Sequence, residues 1–181
     1  MPRQVFTFDP PERFVAGTVG QPGDRTFYLQ ATGGGRTVSV ALEKGQVQLL
    51  AEKVTELLDE VRRRGIEVPA GPPRALEDVA PLDQPVEEEF RVAALALGFE
   101  VDDSVVVIEA QAAAEDAAEI GEDSEDGPDT LRVRLAPETA LSFVTRAERV
   151  VAAGRPPCPL CGLPLDPSGH ICPRMNGYRR P

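Results

Sequence analysis

The sequence predicts an α+β protein with a small appendage at its C-terminal end. Runs with the alternating pattern of β-strands precede each of two amphipathic helices, and a cluster of cysteine and histidine residues follows the second helix. The 181 residues are enough for one ordinary domain and a short extra module. With an aromatic content of only 5%, the core must be built mainly from aliphatic side chains.

The two halves of the sequence have similar predicted elements. In the first half, apolar residues at helical spacing predict a helix over 45–64 that ends at Gly65. The strands predicted before it are 5–8, 14–19, 26–31 and 37–42. In the second half a helix begins at Pro137 and ends before Gly154. The strands predicted before this helix are 90–99, 104–110 and 131–135.

This order predicts a duplicated βββα unit with pseudo-repeats over 1–65 and 87–154. The units would form one sheet of about six strands with two helices on one face, giving a body over 1–154. The alternative is a chance similarity, since any α+β chain can show this order. Five prolines within 66–86 predict a linker with at most a short turn near 76–79, and the region 115–129 predicts an acidic, solvated loop.

The charge of the chain restricts its partners. The formal net charge is −11, and an acidic body repels the phosphate backbone, so nucleic acid would be contacted only locally. No apolar run reaches the roughly 18 residues of a membrane span, and the first residues lack the apolar core of a signal peptide. We expect a cytoplasmic protein without membrane association. Three closely spaced cysteines fit a reducing compartment.

All cysteines and the single histidine lie in one short window with the spacing C-x2-C, eight residues, H-x-C. These residues are Cys158, Cys161, His170 and Cys172. Thiolate and imidazole groups are the ligands that zinc prefers, and four of them complete its tetrahedron. We predict one structural Zn²⁺ in a zinc ribbon over 155–181. Gly162 and Gly169, beside the two ligand pairs, supply the positive φ values that a tight knuckle needs.

Other uses of these residues stay open. A redox-active Cys158–Cys161 pair would need a preceding strand and a following helix, whereas prolines flank this motif. An iron–sulfur site more usually takes four thiolates. A catalytic zinc keeps one position free for water, which four protein ligands would fill. With the only histidine in this cluster, Ser-His-Asp and Cys-His catalytic sites are excluded, and no other catalytic set stands out.

The tail around this motif carries positive charge and one aromatic side chain. The residues concerned are Arg155, Arg174, Tyr178, Arg179 and Arg180. In the simpler interpretation, the arginines offset the negative charge of a zinc ion bound by three thiolates. In the other, the arginines and the tyrosine form a basic surface that contacts phosphate groups or an acidic partner.

The stretch CPLCGLPLDPSGHICPRMNGYRR, which begins at Cys158, resembles the ending of an actinobacterial family designated domain of unknown function 3090. The segments FTFDPPERF at 6–14 and FYLQA at 27–31 are also similar to this family, so the resemblance spans nearly the whole chain. It implies a cytoplasmic zinc-ribbon protein and implies no activity.

Three functions are compatible with these features. The first is a non-enzymatic adaptor whose body and zinc ribbon present separate surfaces to a protein partner. The second is an enzyme or small-ligand-binding protein with a site on the sheet. The third is a factor that contacts nucleic acid through the basic ribbon. The zinc ribbon is compatible with all three, because a fold or a metal knuckle does not by itself determine a function. We favour the first.

Overall fold

A computed structural model describes residues 2–114, 127–154, 156–165 and 169–174 of the protein. It confirms the α+β class, with one seven-stranded sheet and two α-helices. The strands are β1 (Val5–Phe8), β2 (Arg13–Gln21), β3 (Asp24–Gly33), β4 (Arg36–Leu42), β5 (Glu88–Glu100), β6 (Val105–Ala112) and β7 (Thr130–Leu135). The helices are α1 (Lys44–Arg63) and α2 (Pro137–Ala152). Most of the expected acidic loop, residues 115–126, lies outside the described residues.

The strand order is β1-β7-β6-β5-β4-β3-β2. Strands β2, β3 and β4 form an antiparallel meander that leads into α1, and β5, β6 and β7 form a second one that leads into α2. The parallel pair β4–β5 joins the two meanders, so the order and direction of the strands repeat along the sheet. The expectation of about six strands was one short, because β1 pairs in parallel with β7 at the far edge.

Strand β5 bends the sheet into two halves. Its first residues, Glu88 and Arg91, pair with β4, whereas its later part from Val92 to Glu100 pairs with β6. Both pairings contain a register shift, and a bulge is the usual means by which a strand turns from one sheet direction to another. One half therefore contains β2, β3 and β4, and the other contains β1, β6 and β7.

The short connection between β1 and β2 brings the two sheet edges together. Four residues separate these strands, and such a link reaches about 18 Å, whereas seven flat strands would place the edges roughly 29 Å apart. Arg36 Nη2, at the start of β4, donates to Thr7 O of β1 at 2.7 Å. The Arg36 guanidinium also lies 4.7 Å from the centre of the Phe8 ring. The sheet therefore curls around its inner face.

Both helices pack into the same core as the inner face of the sheet, as expected. The buried face of α1 includes Val47, Val54 and Leu58, which lie at helical spacing. Phe143 of α2 stacks on Phe14 of β2 with ring centres 4.7 Å apart. Because the two meanders share one core with both helices, neither half of the sheet has a separate interior.

Helix α2 also covers the outer edge of β2. Arg146 Nε donates to Ala16 O at 2.7 Å, which satisfies a carbonyl that has no neighbouring strand. Only 7% of the Arg146 side chain is exposed, so its charge needs a close partner. Asp78 supplies it, with Oδ1 at 2.9 Å from Arg146 Nη1. An edge covered in this way is protected from pairing with another chain.

The 66–86 segment, expected to be a linker, connects α1 to β5 and packs over the outer face of β2 and β3. It contains one turn of 3-10 helix, Arg74–Leu76, slightly before the expected position. Leu82 is buried against β2, where a Cβ atom at Gly17 would lie 2.5 Å from Leu82 Cδ2. The buried Gln30 exchanges hydrogen bonds with the backbone of Asp83 at 3.0 and 2.8 Å.

Asp78 holds this segment in place through two arginines. Its carboxylate accepts two hydrogen bonds from Arg13, at 2.7 and 3.0 Å, in addition to the one from Arg146. The hydrogen bond from Arg13 lowers the pKa of Asp78 below its ordinary value. Within the described residues, neither helix combines the length and apolar character needed to cross a membrane.

We predict that Asp78→Ala lowers the free energy of unfolding by about 2–3 kcal/mol, because it leaves Arg146 desolvated without a carboxylate. The matched control is Asp59→Ala, which removes an exposed carboxylate paired with Arg62 and should cost less than about 1 kcal/mol. Urea unfolding at pH 7 measures both. Equal losses would show that the Asp78 contacts contribute no more than a surface ion pair.

The loss of unfolding free energy caused by Asp78→Ala should depend on pH. A carboxylate whose pKa is lowered by folding stabilises the protein above its unfolded pKa of about 3.9, and this contribution is lost as the pH falls through the lower folded value. The difference in unfolding free energy between the natural protein and Asp78→Ala should therefore stay constant from pH 7 to about pH 5 and shrink below about pH 4. A difference that grows in acid would contradict the assignment.

Candidate metal centre

Residues 156–165 form a tight hairpin that carries two of the expected ligands. The backbone N–H of Cys158 donates to Leu163 O at 2.8 Å, and the N–H of Leu165 donates to Pro156 O at 2.9 Å. The N–H of Gly162 closes the turn by donating to Cys158 O at 2.8 Å. Gly162 has a φ of 75°, a value that glycine adopts without the steric penalty of a Cβ atom. We call residues 156–165 and 169–174 together the metal hairpin.

The metal hairpin brings the four predicted ligand residues together, although 169–174 lie on a later stretch of chain. Their potential ligand atoms all lie within 4.8 Å of one another. Cys158 and Cys172 are buried, and Cys161 and His170 are half-buried. Gly169, just before His170, has a φ of 122°. The positive φ values expected at both glycines are thus present, and the four side chains form a cluster that could hold a metal ion.

The atoms of the cluster are spaced as ligands rather than as a disulfide. Cys158 Sγ lies 3.9 Å from Cys172 Sγ, about twice the length of a disulfide bond, and all three cysteines are free thiols. Cys161 Sγ lies 3.2 Å from His170 Nε2. A single ion at the centre of these four atoms could contact all of them.

Backbone hydrogen bonds favour the thiolate form of Cys158. The N–H groups of Cys161 and Leu160 form hydrogen bonds with the Cys158 sulfur and lower the pKa of its thiol to about 6. A thiol with that pKa is mostly thiolate at pH 7, which is the form that metals bind. Desolvation acts in the opposite direction at Cys161 and raises the pKa of that thiol. A bound cation would favour the thiolate at both positions.

The basic tail was expected to lie next to this cluster. Arg174 is exposed two residues after the last ligand. The other members of that expected surface, Arg155, Tyr178, Arg179 and Arg180, lie outside the described residues.

Three exposed apolar side chains of the metal hairpin were not among the residues predicted from the sequence. Leu160, Leu163 and Ile171 are exposed by 47%, 49% and 82%, respectively. Their location in the sequence could have indicated this exposure, because so short a module has too few residues to bury large apolar side chains in a core of its own. Ile171 lies between His170 and Cys172, two residues of the cluster.

The fold and the cluster define an α+β protein with a C-terminal hairpin whose cysteine and histidine residues could hold a metal ion. The chain belongs to the family described as "Protein of unknown function (DUF3090)", whose family model matches residues 6–172. That range contains all four residues of the cluster and ends at Cys172. No curated protein and no solved structure matches the chain.

We predict that Cys161→Ser abolishes metal binding, because a serine hydroxyl is a poor substitute for a thiolate ligand. The metal hairpin should unfold, while the body keeps its helical content and its urea transition. Elemental analysis and far-UV circular dichroism measure the two effects. The control is Leu163→Ser, which changes an exposed residue of the same hairpin without removing a ligand. Full metal content in Cys161→Ser would show that the ligand assignment is wrong.

Proposed function

We propose that the four clustered residues bind one structural Zn²⁺ and that the protein is a non-enzymatic interaction or adaptor protein. The zinc ion holds the metal hairpin in shape, and the hairpin presents an apolar surface to a protein partner. The observation that carries this proposal is the exposure of Leu160, Leu163 and Ile171 around a compact group of metal ligands.

The spacing of the ligand atoms supports zinc as the metal. With Zn–S bonds of about 2.3 Å and a Zn–N bond of about 2.0 Å, a tetrahedral site separates two sulfurs by about 3.8 Å and sulfur from nitrogen by about 3.5 Å. The observed separations, 3.9 Å for Cys158–Cys172 and 3.2 Å for Cys161–His170, are close to both values. Three thiolates and one imidazole are soft or borderline ligands, which favour zinc over magnesium or calcium.

The number of ligands supports a structural role. Four protein side chains fill a tetrahedral shell, so no position is left for a water molecule or a substrate. The hairpin has few residues with which to build a core, and its buried residues within the described range are the ligands Cys158 and Cys172. Metal ligation would therefore replace the hydrophobic core that larger modules use.

The surface of the metal hairpin supports a protein partner. Exposed leucine and isoleucine side chains lose contact with water when they are covered, which favours association by about 25 cal/mol per Å² of apolar surface. Because Cys161 and Gly162 lie between Leu160 and Leu163, the zinc site would fix the relative positions of the two leucines. A pre-ordered apolar surface loses less conformational entropy on binding than a flexible segment does.

We predict that the double variant Leu160→Ser/Ile171→Ser keeps one zinc per chain but loses its protein partner. Recovery of the partner from the native lysate should fall about tenfold or more, since removing an interface anchor costs roughly 2 kcal/mol. The matched control is Val79→Ser/Val101→Ser, which removes two exposed apolar side chains from the body. Quantitative mass spectrometry of both pull-downs makes the comparison. Equal recovery with the two double variants would contradict the proposed surface.

A further inference from the structure

A cavity of about 580 Å³ lies between the body and the metal hairpin. Its walls come from the β2–β3 turn, the start of α1, the first part of β5, the end of α2 and Pro164 of the hairpin. Phe27 and Leu42 belong to the buried core beneath it, and the Arg25 guanidinium lies 4.8 Å from the centre of the Phe27 ring. This volume is typical of sites for small organic ligands.

Three basic side chains from different elements surround the cavity. They are Arg25 of β3, Lys44 of α1 and Arg91 of β5. Glu43 is the one acidic residue among the lining residues, which leaves a formal charge of +2. The chain as a whole has a formal charge of −11 and only two lysines, so this concentration of positive charge is opposite to the character of the protein.

The basic groups keep donors that are free to bind a ligand. Arg25 donates to Ala153 O at 2.8 Å and to Val150 O at 3.3 Å, which uses two of its five N–H groups. Arg91 pairs with Glu43 at 3.2 Å, and both side chains are more than half exposed. Lys44 forms no ion pair or hydrogen bond with any described residue, and its ammonium lies 3.7 Å from the ideal Cβ position of Gly154. Its three donors are therefore available.

The chemistry of these groups favours phosphate. A phosphate carries up to two negative charges and several acceptor oxygens, so it can contact cations from more than one side. A guanidinium group such as that of Arg25 or Arg91 can donate two parallel hydrogen bonds to two phosphate oxygens, and a lysine ammonium adds a compact positive charge. An anion can compete with Glu43 for the Arg91 guanidinium, because a surface ion pair of this kind is weak.

We propose that this cavity binds a small phosphate-bearing anion through Lys44, Arg91 and Arg25. The phosphate lies among the three cations, and any organic part of the ligand lies against Val151 and Ala152 at the end of α2. The site is separate from the metal ligands, so this inference does not rest on the proposed adaptor function.

Calorimetric titration of the full chain with inorganic phosphate and with phenyl phosphate, at constant ionic strength, tests the proposal. We expect saturable binding of one anion per chain. Tighter binding of phenyl phosphate identifies an organic phosphate as the ligand, because its ring adds apolar contact. Equal affinities identify inorganic phosphate. Both results support the phosphate site, and the absence of saturable binding would overturn it.

Two lysine variants separate this site from a general effect of charge. Lys44→Glu should weaken binding about tenfold or more, since it replaces a charged donor with a repelling carboxylate. Lys53→Glu makes the same change on the same helix, where Lys53 pairs with Glu56 away from the cavity, and should leave the affinity unchanged. Arg91→Gln provides a second variant at the site. Equal weakening by Lys44→Glu and Lys53→Glu would overturn the assignment.

Discussion

The short connection between β1 and β2 is the constraint on which the shape of the body depends. These strands form opposite edges of a seven-stranded sheet, yet only four residues join them. The sheet can satisfy this connection only by curling, and the bend within β5 provides the necessary turn on the other side. Curling places the inner faces of both meanders around α1 and α2, which explains why one hydrophobic core serves the whole body.

Two parts of the curled sheet are covered by other elements of the chain. Helix α2 covers the free edge of β2 through Arg146, and the 66–86 segment covers the outer face of β2 and β3. Asp78 of the 66–86 segment connects β2 with α2, because its carboxylate contacts both Arg13 and Arg146. The metal hairpin follows α2 directly and is too small for a core of this kind. Metal binding by the four clustered residues, as proposed above, would give it a different source of stability.

The sequence was sufficient to predict helix α1 and the clustering of the four cysteine and histidine residues. Helix α1 has a strong apolar face, and the four residues are close in sequence, so periodicity and spacing predicted both features. The pairing of β1 with β7 was not predictable, because it joins segments more than 120 residues apart. The packing of the 66–86 segment on β2 and β3 was not predicted either, because it also joins parts of the chain that are distant in the sequence. Its prolines indicate irregular backbone, but the contact between Leu82 and Gly17 depends on the tertiary fold.

The most direct test of the central claim is X-ray absorption spectroscopy at the zinc edge of the purified protein. We predict one zinc per chain with three sulfur neighbours at about 2.3 Å and one nitrogen neighbour at about 2.0–2.1 Å. That shell corresponds to Cys158, Cys161, Cys172 and His170. A protein purified without zinc, or a shell in which oxygen replaces the sulfur neighbours, would contradict it.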